Sequence, residues 1–140
     1  MKCHLFRVPP FRQHVRFDPK AERYRHNILE PITIDAPKFD SVGLSYLLHC
    51  VPGSIASKAV ALDHLKPLMN PDGVLFGATI VQDIVQRRWI ARRAADAFNA
   101  KGVFSNRRDY LAGLKDALTQ RLRDVSIETI GRVALFSGRV

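Results

Sequence analysis

Glycine is missing from the first 42 residues; the first in the chain is Gly43. A backbone cradle that must approach a phosphate or cofactor closely needs residues without a Cβ, so no such cradle is expected near the start. Long apolar runs are missing too. The longest, Gly73 to Val81, falls well short of the ~20 residues of a spanning helix, which argues against a membrane role. The opening sequence MKCHLFRVPPFRQHVRF has no continuous apolar stretch of signal-peptide length, so the expected compartment is the cytoplasm. Cysteine is scarce: Cys3 and Cys50 are too few for a disulfide framework. Cys50 follows an apolar run and reads as a buried structural thiol. His4, His14, His26 and His64 fall at no metal-ligand spacing with cysteine or acidic partners, and no metal site is expected.

Acidic side chains are also in short supply, 13 against 22 Lys and Arg, for a net charge of +9. The excess is concentrated in two places. Lys2, Arg7, Arg12, Arg16, Lys20, Arg23 and Arg25 crowd the first thirty residues; Arg87, Arg88, Arg92, Arg93, Lys101, Arg107 and Arg108 crowd 86–108. Such clusters attract phosphate. A solvated arginine-rich face is the simpler reading, so nucleic acid is not the favoured partner.

The 140 residues suit one domain, and 46% hydrophobic content suffices for a core. Pro9, Pro10 and Pro19 interrupt residues 1–23, which read as an irregular basic segment preceding a domain over 24–140. Asn27 to Pro31 reads as a strand end running into a loop. Phe39 to Leu48 reads as a buried strand and its following loop. Pro52 and Gly53 mark a turn, and Ser54 is a good N-cap for a helix over 55–68. Ile55, Ala59, Leu62, Leu65 and Leu68 form its buried stripe. In Asn70-Pro71-Asp72-Gly73, a turn signature, Gly73 is expected to supply a positive φ. Gly73 to Val81 is a second buried strand, parallel to the first by a right-handed crossover. A helix follows over 83–100, with Trp89 and Phe98 in its core stripe. Another follows over 107–123, with Asn106 and Asp109 in a capping pattern and Leu111, Leu114, Leu118 and Leu122 apolar. Val125–Ile130 and Arg132–Val140 read as a hairpin about Gly131.

This order resembles the class I S-adenosylmethionine-dependent methyltransferases. Asn27-Ile28-Leu29-Glu30-Pro31 sits where the family has the loop after its third strand. Phe39-Asp40-Ser41-Val42 through Leu48-His49-Cys50 resembles its fourth-strand motif. Leu65-Lys66-Pro67, then Pro71-Asp72-Gly73-Val74-Leu75, resembles the entry to its fifth strand, with Leu68 to Asn70 as extra residues. The terminal strand pair resembles the hairpin at its sheet edge. Across some 115 residues the four come in the family's order.

The resemblance covers the C-terminal half only, since the family's glycine-rich cofactor loop has no counterpart ahead of Asn27. It implies an α/β fold: a partial Rossmann-like methyltransferase sandwich, with a mostly parallel sheet and a C-terminal antiparallel hairpin. Its strand order would be that of the family's fourth, fifth, seventh and sixth strands. It implies S-adenosylmethionine as cofactor and methyl transfer to a small molecule, by a chain that is truncated and of doubtful activity alone. Asn27 and Ile28 match positions that contact adenine. Leu44, Ser45 and Tyr46 match the loop that approaches the methionine moiety or the acceptor. His49 matches a histidine that is either the catalytic base or a support for that loop. The sheet edge left open at Phe39–Tyr46 points to a homodimer. The alternative is a non-catalytic basic α/β remnant that binds a polyanion such as RNA, or a complementary methyltransferase half.

Overall fold

The structure, a computed structural model, describes residues 2–7, 22–82, 93 and 108–140. The helix expected over 83–100 therefore lies outside the described residues, Arg93 excepted. In chain order the elements are β1 (Lys2–Arg7), β2 (Glu22–Asn27), β3 (Phe39–Ser45), α1 (Ile55–Lys58), α2 (Val60–Leu65), β4 (Met69–Ile80), α3 (Leu111–Thr119), β5 (Arg123–Ile130) and β6 (Val133–Arg139). Short 3-10 turns occupy Leu48–Cys50 and Lys66–Leu68.

The main sheet has the order β3-β4-β6-β5. β3 and β4 are parallel, with Val42 opposite Leu75 and Leu44 opposite Gly77. β6 runs antiparallel to both β4 and β5, so one side of the sheet is a parallel pair and the other a hairpin. This is the order that the resemblance implies. Side chains alternate across a strand. Val42, Leu44, Leu75, Ala134 and Phe136 are buried from one face together with Ile55, Leu62, Leu65, Leu114 and Leu118 of the helices. The other face is more open: Phe76 stays 45% exposed and lies across Gly43, where a Cβ would come within 3.0 Å of its ring.

Local choices follow from the residues. The Ser54 side chain caps α1 by accepting from the Ser57 N–H at 3.4 Å. The helix expected over 55–68 breaks at Ala59 into α1 and α2, yet its stripe stays buried, with Leu68 at the margin. Gly131, at φ 61, makes the hairpin turn. Val125 and Ile127 are half-buried, while Ser126 and Glu128 face out.

Three expectations change. Lys2–Arg7, inside the segment read as irregular, is a strand paired antiparallel with β2 in a separate two-stranded sheet. Strand formation depends on a partner, which composition does not reveal. At the entry to β4, the positive φ falls on Asp72 (φ 62), not on Gly73. Phe39 pairs with Met69 but Ser41 with Val74, so Asn70–Gly73 forms the irregular step. Asp tolerates the left-handed region. Gly73 is needed for space: a Cβ there would lie 2.9 Å from the Asn70 carbonyl oxygen. Finally, α3 starts at Leu111, after Tyr110 with no side-chain cap, and Asp109 is held in a buried ion pair; Asn106, the other member of the expected capping pattern, lies outside the described residues.

Candidate functional site

Ligands of open α/β sheets bind outside the carboxyl ends of the parallel strands. Here that edge is formed where β3 stops at Ser45. Tyr46 adopts φ 55, and its N–H donates to the Ala78 carbonyl at 2.8 Å, which turns the chain away from the sheet. Leu44 is buried and can offer a ligand only its backbone; Ser45 and Tyr46 are exposed. The 3-10 turn Leu48–Cys50 then sets His49 behind Tyr46. The two rings meet edge to face, with centroids 5.7 Å apart at 83°.

His49 is 3% exposed while Tyr46 is 51% exposed, so the tyrosine faces solvent and the histidine does not. Burial, and secondarily the Lys58 ammonium, hold the imidazole below its ordinary pKa of 6.5. At neutral pH it is therefore an uncharged imidazole that can accept a proton. Cys50 beside it is a free, half-buried thiol. Its burial pushes the pKa up and outweighs the opposing pull of Lys58. A thiol held protonated is a poor nucleophile.

Lys58 and Asp109 are both wholly buried, and the Lys58 Nζ donates to Asp109 Oδ2 at 2.6 Å. Burial raises the Asp109 pKa, against the hydrogen bond and charge of Lys58, which lower it. The Asp109 carbonyl also accepts from Gln82 N–H at 2.9 Å, which joins the segment entering α3 to the end of β4. Sequence reasoning missed this pair. A signal was present: Lys58 stands three residues after Ile55 and four before Leu62, on the buried stripe of the helix. Its partner, 51 residues away, carried no such mark.

Leu44, Ser45, Tyr46 and His49 are thus brought together, whereas Asn27 and Ile28 sit on a different turn. The Asn27 Oδ1 accepts from Leu29 N–H at 3.2 Å, and its Nδ2 donates to Glu30 Oε1 at 2.6 Å. Ile28 is 1% exposed and packs in the core, and its carbonyl oxygen lies 3.1 Å from His64 Nδ1 on α2. Among the described residues, no group of three or more His, Cys, Asp or Glu is placed to hold a metal ion. No described helix is long and apolar enough to cross a membrane.

No protein-family model matches the chain. Relatives of known description do. The chain is 39% identical over 112 residues to demethylluteothin O-methyltransferase of Streptomyces thioluteus, covering 80% of this chain and 49% of that protein. It is 38% identical over 114 residues to methyltransferase ctvB of Aspergillus terreus, covering 81% and 50%. Among solved structures, an O-methyltransferase family protein from Burkholderia thailandensis matches with a TM-score of 0.59 at 20% identity, over 83% of this chain and 34% of that one. Human N-acetylserotonin methyltransferase, solved in complex with S-adenosylmethionine, matches with a TM-score of 0.61 at 13% identity, over 91% and 36%. These structural likenesses speak for the fold. The ordered motifs, the sheet order and the sequence relatives converge: over about four-fifths of its length the chain is similar to proteins named as O-methyltransferases and methyltransferases, with the fold of their C-terminal half, and it spans about half the length of the curated relatives it matches.

Proposed function

We propose that this chain carries the strand-end part of an S-adenosylmethionine site and serves methyl transfer to a small molecule. The observation that carries the reading is the loop Leu44–Tyr46, open at the carboxyl end of the parallel pair, with His49 behind it. The residues present fit the cofactor in part. The exposed Ser45 hydroxyl and the backbone of Leu44 to Tyr46 can hold its methionine side. On the adenine side, Asn27 would have to exchange Glu30 for the ring amine, and Ile28 would have to turn out of the core. The glycine cradle must come from polypeptide other than this chain's residues ahead of Asn27, and activity belongs to that completed assembly.

When bound, the cofactor supplies an electrophilic methyl group. The chain's own residues hold the acceptor in line, which is the main source of rate in such a transfer. His49 takes the acceptor's proton on its uncharged imidazole. Tyr46 covers that imidazole, so its ring must swing aside for the acceptor to reach it. We place the protein in the cytoplasm. Among the described residues β3 has a strand on one side only, and a second copy of the chain is the partner we assign to its free edge. Calorimetric titration with S-adenosylmethionine tests the central reading: heat saturating in the millimolar range supports it, and no heat there rejects cofactor binding by this chain.

A further inference from the structure

Tyr46 follows β3 in a backbone conformation that would suit glycine better. We propose that its ring is a binding residue for the sulfonium cation of the methyl donor, taken in exchange for His49, so that donor binding uncovers the imidazole. The proposal rests on reading the Leu44–Tyr46 loop as the methionine side of the cofactor site.

Three observations carry it. First, the turn does not need a tyrosine. Among the described residues the non-glycine positions with positive φ are Tyr46, Asp72 and Asp124. Aspartate visits this region readily; a tyrosine does so at a cost, and such outliers gather at functional sites. The turn is made by the main chain, through the Tyr46 N–H and the Ala78 carbonyl at 2.8 Å, and glycine would form the same bond without strain. Second, the ring is available. Tyr46 is 51% exposed and meets the His49 imidazole at 83°, with centroids 5.7 Å apart. An edge-to-face contact leaves at least one face of the tyrosine ring free of the imidazole. Third, the strand end is short of other partners for a cation. The chain carries +9, and segments 44–50 and 77–82 contain no Asp or Glu. Asp109, which Gln82 joins to the end of β4, is wholly buried and paired with Lys58. The face of an aromatic ring attracts a cation without any carboxylate.

An edge-to-face contact and a cation–π contact are of similar strength, so the ring can pass from one to the other at little cost. The neutral thioether left after methyl transfer offers no cation, and the ring returns to His49. Tyr46 thereby favours the charged donor over its demethylated product and sets an order in which the donor binds before the acceptor.

The test uses the full chain, titrated calorimetrically with S-adenosylmethionine and, separately, with S-adenosylhomocysteine, which lacks the methyl group and the positive charge. The parent should bind the sulfonium compound roughly 2- to 30-fold more tightly, the range of a cation–π contact. Tyr46→Phe, which keeps the aromatic face, should retain that preference. Tyr46→Leu, which makes the same backbone demand without a ring, should bring the ratio to one or below. In spectra of the parent, the His49 ring protons should lose the ring-current shift of the tyrosine on saturation with the sulfonium compound and keep it with the thioether; a shift kept with both would overturn the exchange. A parent that binds both compounds equally, or a Tyr46→Leu variant that keeps the preference, would overturn the proposal and leave the site standing. Binding of neither compound would overturn the reading of the site and the proposal with it.

Discussion

Gly77 lies at the centre of the sheet, paired with Leu44 on β3 and Phe136 on β6. A Cβ placed there would come within 2.5 Å of the Leu44 carbonyl oxygen and 2.7 Å of the Phe136 ring. Gly77→Ala must therefore displace something. The Phe136 ring is 4% exposed and packed in the core, and Leu44 is met through its backbone, so neither gives way freely. Overpacking of this kind costs about 1–3 kcal/mol. For a chain of this size that corresponds to a Tm lower by roughly 4–12 °C. Thermal unfolding followed by circular dichroism reads the shift, and urea unfolding with an unchanged m value confirms that two-state stability has moved. The site should feel it too. β3 would be pushed from its register, and exchange of the Tyr46 N–H, now bonded to Ala78, should quicken. A Tm within about 1 °C of the parent would refute the close pairing of β3, β4 and β6 at this point.

Gly131 offers the opposite case, since nothing lies within 4 Å of its missing Cβ but its φ is 61°. Gly131→Ala should cost about 1 kcal/mol through backbone strain alone, and Gly131→Asn less, as thermal unfolding of the pair will show. Lys58→Ala strands the Asp109 carboxylate in the core and should cost about 3–5 kcal/mol by urea unfolding. Stability should also fall as pH drops below 6.5, the ordinary value for histidine. The unfolded chain binds a proton at His49 there while the folded one resists, so this contribution is present above 6.5 and is lost as pH falls through the lower folded value. His49→Gln should flatten that slope in unfolding measured against pH. Asp109 acts with the opposite sign at lower pH. Its folded pKa is raised, so it favours the folded state increasingly as pH falls toward the ordinary 3.8.

The sheet was legible where the signal is local. Val42, Leu44 and Leu75 lie in apolar runs bounded by turn residues, and Ile55, Leu62 and Leu65 repeat at helical spacing, so β3, α1–α2 and β4 could be placed from residue order. Gly131 marked the hairpin for the same reason. What depended on distant partners was not legible. β1 reads as irregular because its pairing with β2 spans the prolines between them. Asp109 looked like part of a helix cap because its lysine lies 51 residues away. Tyr46, Ser45 and His49 were singled out by motif, and their grouping depends on the turn at Tyr46, whose positive φ no tyrosine advertises. Asn27 also matched a motif, but its amide is engaged by Glu30, a contact that three-residue spacing permits without requiring.

The most direct measurement of the central claim is residue-resolved: amide spectra of the chain titrated with S-adenosylmethionine to millimolar concentration. The expected result is saturable change at Leu44, Ser45 and Tyr46, with a weaker response at Asn27–Leu29 and none at the β5–β6 turn around Gly131. An unperturbed spectrum, or change confined to residues remote from the end of β3, would contradict the account.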